Sequence, residues 1–134
     1  MASIAPRADQ MQEVIAAVPK GVPVVMLNML RFRETAEYPD ERPKISGREA
    51  YAKYSAEAAQ HVAKVGGSLV WFGEAQGSVI GPPDEHWDHL FLVRYPSIEK
   101  FVEMVSSASY QAIVVHRSSA LKDSRLIVAL EKGS

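Results

Sequence analysis

Apolar positions recur along the chain with two different periods. Residues 9–18 make a short helical pattern that stops at Pro19, where the missing amide hydrogen and fixed φ end a helix. Val22–Phe32 is a nearly continuous apolar run with a β-branched start, the pattern of a strand covered on both faces. Between residues 33 and 45 the chain becomes charged and holds Pro39 and Pro43. It reads there as a loop, and long ordered loops tend to carry function. From Gly47 to Val65, residues Tyr51, Tyr54, Ala58, Val62 and Val65 recur at three- and four-residue steps, while Arg48, Glu49, Lys53, Glu57 and Lys64 take the other side. That is an amphipathic helix with one buried face, capped by the Ser46 hydroxyl and ended by Gly66-Gly67.

Ser68–Ile80 reads as a second strand, with Leu69, Trp71, Gly73 and Ala75 on one side by the period of two. A turn at Gly81–Asp84 leads to a third strand, His86–Tyr95, and the short connection makes the two an antiparallel hairpin. Pro96 and Ser97 open another helix with Ile98, Phe101, Val102 and Val105 as its core stripe. Ser109 is expected to cap further helical turns as far as Leu121, and Ser124–Leu130 is the last strand. The order strand, helix, strand, strand, helix, strand predicts an α+β fold. The right-handedness of crossovers closes it as a ferredoxin-like βαββαβ unit: one four-stranded antiparallel sheet with helices on a single face. The other sheet face is then bare and apolar, and a second copy of the same sheet covers it most simply, so a homodimer is expected.

With 134 residues the chain fits one domain, 1–134, made of the short helix at about 9–18 and a core at about 22–130. The formal net charge is -1 with both signs interspersed, which argues against nucleic acid or an anionic membrane as a partner. There is no cysteine, so thiolate catalysis and cysteine-ligated metal are excluded. Asp9, Glu13 and Lys20 interrupt the beginning where a signal peptide needs an apolar core, and Val22–Leu30 falls well short of the ~20 residues of a membrane span. A cytoplasmic location is the expectation. Gly133 and Ser134 read as a frayed end.

Few residues offer chemistry. Asn28 interrupts the run VVMLNML, and its amide needs either a structural hydrogen bond or a ligand. Arg117 falls in line with Tyr110, Val114 and Leu121 on an otherwise apolar helical stripe. A guanidinium there needs an anion, either Asp123 or Glu74 or the carboxylate or enolate of a bound molecule. His116 beside it titrates near neutrality and can move a proton, although a lone histidine is more often simply satisfied by its neighbours. Tyr51 and Tyr54 share the buried helix face, core packing being their default role. Trp71 and Gly73 make a flat wall with a gap beside it, which suits tight helix packing or a pocket. His86, Asp88 and His89 look like metal ligands, but in a strand the two histidines point to opposite faces and no third ligand is evident. No metal and no cofactor are therefore expected. Phosphate-cradling loops and nucleophile elbows are absent from the sequence.

Four strings, MLNMLRFRE, SGREAYAKY, VRYPS and SYQAIVVHRSSALKDSRLI, resemble the DUF1330 group of the dimeric α/β-barrel superfamily, and the likeness runs from about Val24 to Leu130. That superfamily contains cofactor-free monooxygenases, muconolactone-type isomerases, polyketide cyclases, dehydratases and ligand-sensing domains. The resemblance implies a small-molecule pocket between sheet and helices, with Asn28, Tyr54, Trp71, His116 and Arg117 at or near it. It leads to two expectations. One is a cofactor-independent enzyme (isomerase, cyclase or monooxygenase type) for a small anionic or enolisable organic compound, with His116 moving a proton and Arg117 holding negative charge. The other is a non-catalytic ligand-binding or regulatory dimer. Against both stands a structural dimer with a filled core and no site.

Overall fold

The computed structural model describes residues 2–132; the Gly133-Ser134 pair lies outside the described residues. Helix α1 spans Ala8–Ala17, and Val18 before Pro19 is extended, as a residue preceding proline prefers. Strand β1 is Val24–Phe32. Helix α2, Gly47–Lys64, starts in a full capping box: the Ser46 hydroxyl accepts from the Glu49 amide and the Glu49 carboxylate accepts from the Ser46 amide. It ends before Gly66, whose φ of 85° is the left-handed conformation that glycine adopts without strain. Strands β2, Ser68–Glu74, and β3, His89–Tyr95, follow. Then come α3 (Ile98–Ser106), α4 (Ala108–Gln111), α5 (Val114–Ala120) and β4 (Leu121–Ala129).

The sheet has the order β2-β3-β1-β4 with every neighbouring pair antiparallel, the expected βαββαβ closure. Its helix-covered face carries Val24, Met26 and Leu30 into one buried cluster with Tyr51, Tyr54 and Ala58 of α2, Phe101 of α3 and Tyr110 of α4. Gly47 lets α2 press against its neighbours, since a Cβ there would lie 2.2 Å from the Arg33 carbonyl oxygen and 2.7 Å from that of Ala120. The loop from residue 33 to 46 is pinned by backbone bonds from Arg33 to Ala120 and from Glu37 to Ser119.

Four details differ from the sequence expectation. Strand β2 stops at Glu74 rather than Ile80 and β3 starts at His89 rather than His86. The prolines and glycines between them hold a longer connection, on which Val79 and Ile80 stand fully exposed. Ser107, not Ser109, caps α4 by accepting from the Tyr110 amide, and β4 begins at Leu121 instead of Ser124. The fourth is a bulge in β2 between Leu69 and Trp71. One extra residue there reverses the alternation, so Leu69 stays on the helix side while Trp71 and Gly73 turn to the open face. Across that open face Trp71, Leu92, Leu27 and Ile127 stand side by side in register.

Candidate functional site

Between the helix-covered sheet face and the helices lies a partly open cavity of about 1570 Å³. Its floor is the next register row of the sheet, Phe72, Phe91, Asn28 and Leu126, and its roof is the inner face of α2. Segment Ser3–Arg7 and the α1 residues Gln10, Met11 and Val14 line one side. The wall is aromatic: Phe32 and Tyr51 lie 5.5 Å apart by ring centroid, Tyr51 and Tyr54 5.2 Å, and Tyr54 and Tyr110 6.1 Å.

Arg117 of α5 reaches this cavity from the helix layer. Its guanidinium donates to the backbone carbonyl of Ile4. Neither internal carboxylate considered for it serves: Asp123 pairs with Arg125, 2.7 Å away, and Glu74 lies 3.8 Å from His89. Among the described residues Arg117 forms no ion pair, so a half-buried cation is answered only by a neutral oxygen. Such a group keeps capacity for an anion. The hydroxyls of Tyr54 and Tyr110 bond each other at 2.5 Å, whereas Tyr51 and Tyr95 line the cavity with hydroxyls that bond no described residue. Burial raises the pKa of Tyr51, Tyr54 and Tyr95 well above the tyrosine norm; the charge of Arg117 opposes this, next after burial at Tyr51 and least of the causes at Tyr54. These hydroxyls stay protonated and can donate to a ligand.

A second polar group sits at the first residue of β3. The His89 ring is held edge-on by Phe32 and Phe72, each centroid 4.8 Å away, and faces the cavity. Arg48 of α2 donates to its Nε2 at 3.2 Å and reaches Asp88 at 3.3 Å. Burial and then the Arg48 charge lower the His89 pKa from 6.5, so the imidazole is neutral at physiological pH.

The structure brings Asn28, Tyr54 and Arg117 to one cavity. The Asn28 Nδ2 donates to the Met26 carbonyl at 3.3 Å. Two expected members lie elsewhere. Trp71 is on the open face because of the bulge, where it packs over Gly73. His116 is turned to the loop between β1 and α2, sharing a 2.7 Å hydrogen bond with Tyr38. Neighbours in sequence diverge by about 100° on a helix, so Arg117 and His116 point apart. His89, Arg48 and Tyr110 belong to the site without having been singled out for it. For His89 the available signal was alternation along HLFLVRY, which puts it on the same face as Phe91 and Val93. His86 is exposed and precedes the strand.

The DUF1330 model, a domain of unknown function, matches residues 41–130. A solved protein of unknown function from Rhodopseudomonas palustris, RPA0582, is 40% identical over 100% of both chains, with a TM-score of 0.92. The cofactor-independent oxygenase SnoaB from Streptomyces nogalater shares 10% identity over 84% of this chain and 96% of its own, with a TM-score of 0.54. The hydroxynitrile lyase from Passiflora edulis shares 9% over 85% and 97%, with a TM-score of 0.57. At such identities these two show the fold alone, which is that of the dimeric α/β-barrel superfamily. No curated protein matches the sequence. Among the described residues no helix is long and apolar enough to cross a membrane. With the family model covering most of its length, the chain belongs to the DUF1330 family.

Proposed function

We propose that this protein binds a small anionic or enolisable organic compound in the cavity and acts on it without a cofactor, as an isomerase, cyclase or monooxygenase type of enzyme. The observation that carries this is Arg117, a cavity-lining cation with no carboxylate partner among the described residues. Protonated tyrosine hydroxyls and the Asn28 amide supply neutral hydrogen bonds around it, the usual make-up of a small-molecule site. That an oxygenase described as cofactor-independent and a lyase share the fold supports chemistry of this type. A non-catalytic ligand-binding dimer is the second reading, favoured by one observation: His116 bonds Tyr38 instead of facing the cavity. Both readings use a homodimer joined through the open sheet face, with more than ~1,000 Å² buried in total.

Thermal unfolding of wild type and Arg117→Met, with and without benzoate or phenylacetate, tests the anchor. The methionine keeps much of the aliphatic packing and strands no carboxylate, so the variant should lose no more than about 1.5 kcal/mol of stability. The carboxylates should raise the wild-type Tm and leave that of the variant unmoved. A large stability loss with an unchanged carboxylate response would overturn the proposal.

A further inference from the structure

The cavity is lined by a second polar group, His89, that the anion anchor does not use. We propose that His89 is the proton-accepting base of this site, a role that rests on the anion anchor proposed above. Its substrate is then a planar carboxylate that carries, apart from the carboxylate, an acidic hydroxyl or enolisable carbon.

Three features of the molecule lead there. First, of the four histidines only His89 lines the cavity. Second, its tautomer is set. A guanidinium only donates, so the Arg48 contact at 3.2 Å makes Nε2 the lone-pair nitrogen and places the ring proton on Nδ1. The charged groups around the ring are Arg48 from α2, Asp88 from the segment before β3, and Glu74 from β2 with an oxygen 3.8 Å from Nε2. Burial opposes the charged form, so the base is unprotonated when substrate arrives. Third, Phe32 and Tyr51 continue the aromatic wall from the His89 ring, with centroids 4.8 Å and 5.5 Å apart in turn, and Tyr51 is a residue on which the Arg117 charge bears, so one apolar wall joins the two polar groups.

The step needs no oxidant or reductant. The substrate O–H or C–H takes the place of Arg48 at Nε2, and the nitrogen lone pair accepts the proton. The bonding pair stays on the substrate as phenolate or enolate, and Arg48, released from Nε2, holds the new negative charge. Return of the proton from the imidazolium to another substrate atom completes an isomerisation, and its return to the same atom reverses the step.

The probe is (4-hydroxy-3-nitrophenyl)acetate, whose phenolate absorbs in the visible. It is added to wild type, His89→Gln and Arg117→Met at a pH below its own phenol titration. On wild type the bound probe should appear as phenolate, and binding heats in buffers of different ionisation enthalpy should show no proton released. With His89→Gln the probe should still bind, either as the phenol or as phenolate with its proton passed to the buffer. Arg117→Met should bind about tenfold more weakly or worse. ¹⁵N spectra of histidine-labelled wild type give the same answer without a substitution, because His89 should change from neutral imidazole to imidazolium as the probe binds. An unchanged neutral His89 signal, or phenolate formed on His89→Gln with no proton released, overturns the base while leaving the anchor standing. Failure of wild type to bind the probe, or equal binding by Arg117→Met, overturns the anchor and the base with it.

Discussion

Two neighbouring rows of the sheet lie on opposite faces. Trp71, Leu92, Leu27 and Ile127 cross all four strands on the open face; Phe72, Phe91, Asn28 and Leu126 cross them one residue further along β2 and one residue back on β3, on the helix side. Each row is mainly apolar, and each leaves its edge residues half-exposed, Ile127 at 50% and Leu126 at 43%. What separates them is the chemistry nearby. The open row holds no polar side chain, so it satisfies only another apolar surface. The helix-side row holds Asn28 and lines the same cavity as the tyrosines and Arg117, and so selects something with donors and acceptors of its own. Apolar area alone therefore does not tell a docking face from a ligand floor; the polar groups that line it do.

The sharpest way to break this contrast is to place one charge on either side of β4. Ile127→Glu puts a carboxylate in the proposed sheet–sheet interface twice over, by symmetry. An uncompensated buried charge costs about 3–5 kcal/mol, so the dimer should dissociate at micromolar concentration, as read by light scattering. Leu126→Glu, one residue away, should leave the molar mass unchanged and instead weaken carboxylate binding, because it places negative charge in the cavity. If the two variants have the same effect on assembly, the two faces are not distinct in function.

A smaller effect separates the ends of the cavity by pH. The folded-state pKa of His89 is lowered from 6.5, so on acidification the unfolded chain takes up this proton before the folded one does. The stability associated with neutral His89 is fully present above 6.5 and is lost as pH falls from there through the folded value. Denaturant unfolding across that window should show wild type losing stability more steeply than His89→Gln. Parallel curves for the two proteins would show that the ring ionises freely, and would remove the difference drawn between it and an ordinary surface histidine.

The parts of the molecule specified by local rules were legible in the sequence. The Ser46 cap, the apolar stripe of α2 and the β-branched start of β1 put both elements within two residues of their observed ends. The misplacements arise where one residue changes the count. The β2 bulge moves Trp71 to the open face, and a rotation of about 100° per helical residue separates His116 from Arg117. His89 stayed inconspicuous because its environment is assembled from Phe32, Arg48, Phe72 and Glu74, on three other elements. Strand alternation gives its side of the sheet, but only tertiary packing gives its neighbours. Arg117 was legible as an anomaly, a charge on an apolar stripe, and the structure answers the question of its partner with a backbone carbonyl.

The smallest predicted difference lies between two tyrosines one helical turn apart. Tyr54 and Tyr51 are equally buried, each 8% exposed, and both belong to the inner face of α2. The Tyr54 hydroxyl is paired with that of Tyr110, so Tyr54→Phe breaks the pair and leaves the Tyr110 oxygen without its partner, for a loss of about 1 kcal/mol. The Tyr51 hydroxyl has no described partner and its residue lines the cavity, so Tyr51→Phe breaks no hydrogen bond within the protein. Its stability should hold or rise by a few tenths of a kcal/mol. In carboxylate binding the order should reverse. Tyr51→Phe loses a free donor next to the Arg117 end, whereas Tyr54→Phe loses one already engaged. Chemical denaturation and carboxylate titration on the same two variants give four numbers, and the contrast survives only if the variant that costs stability is not the one that costs affinity.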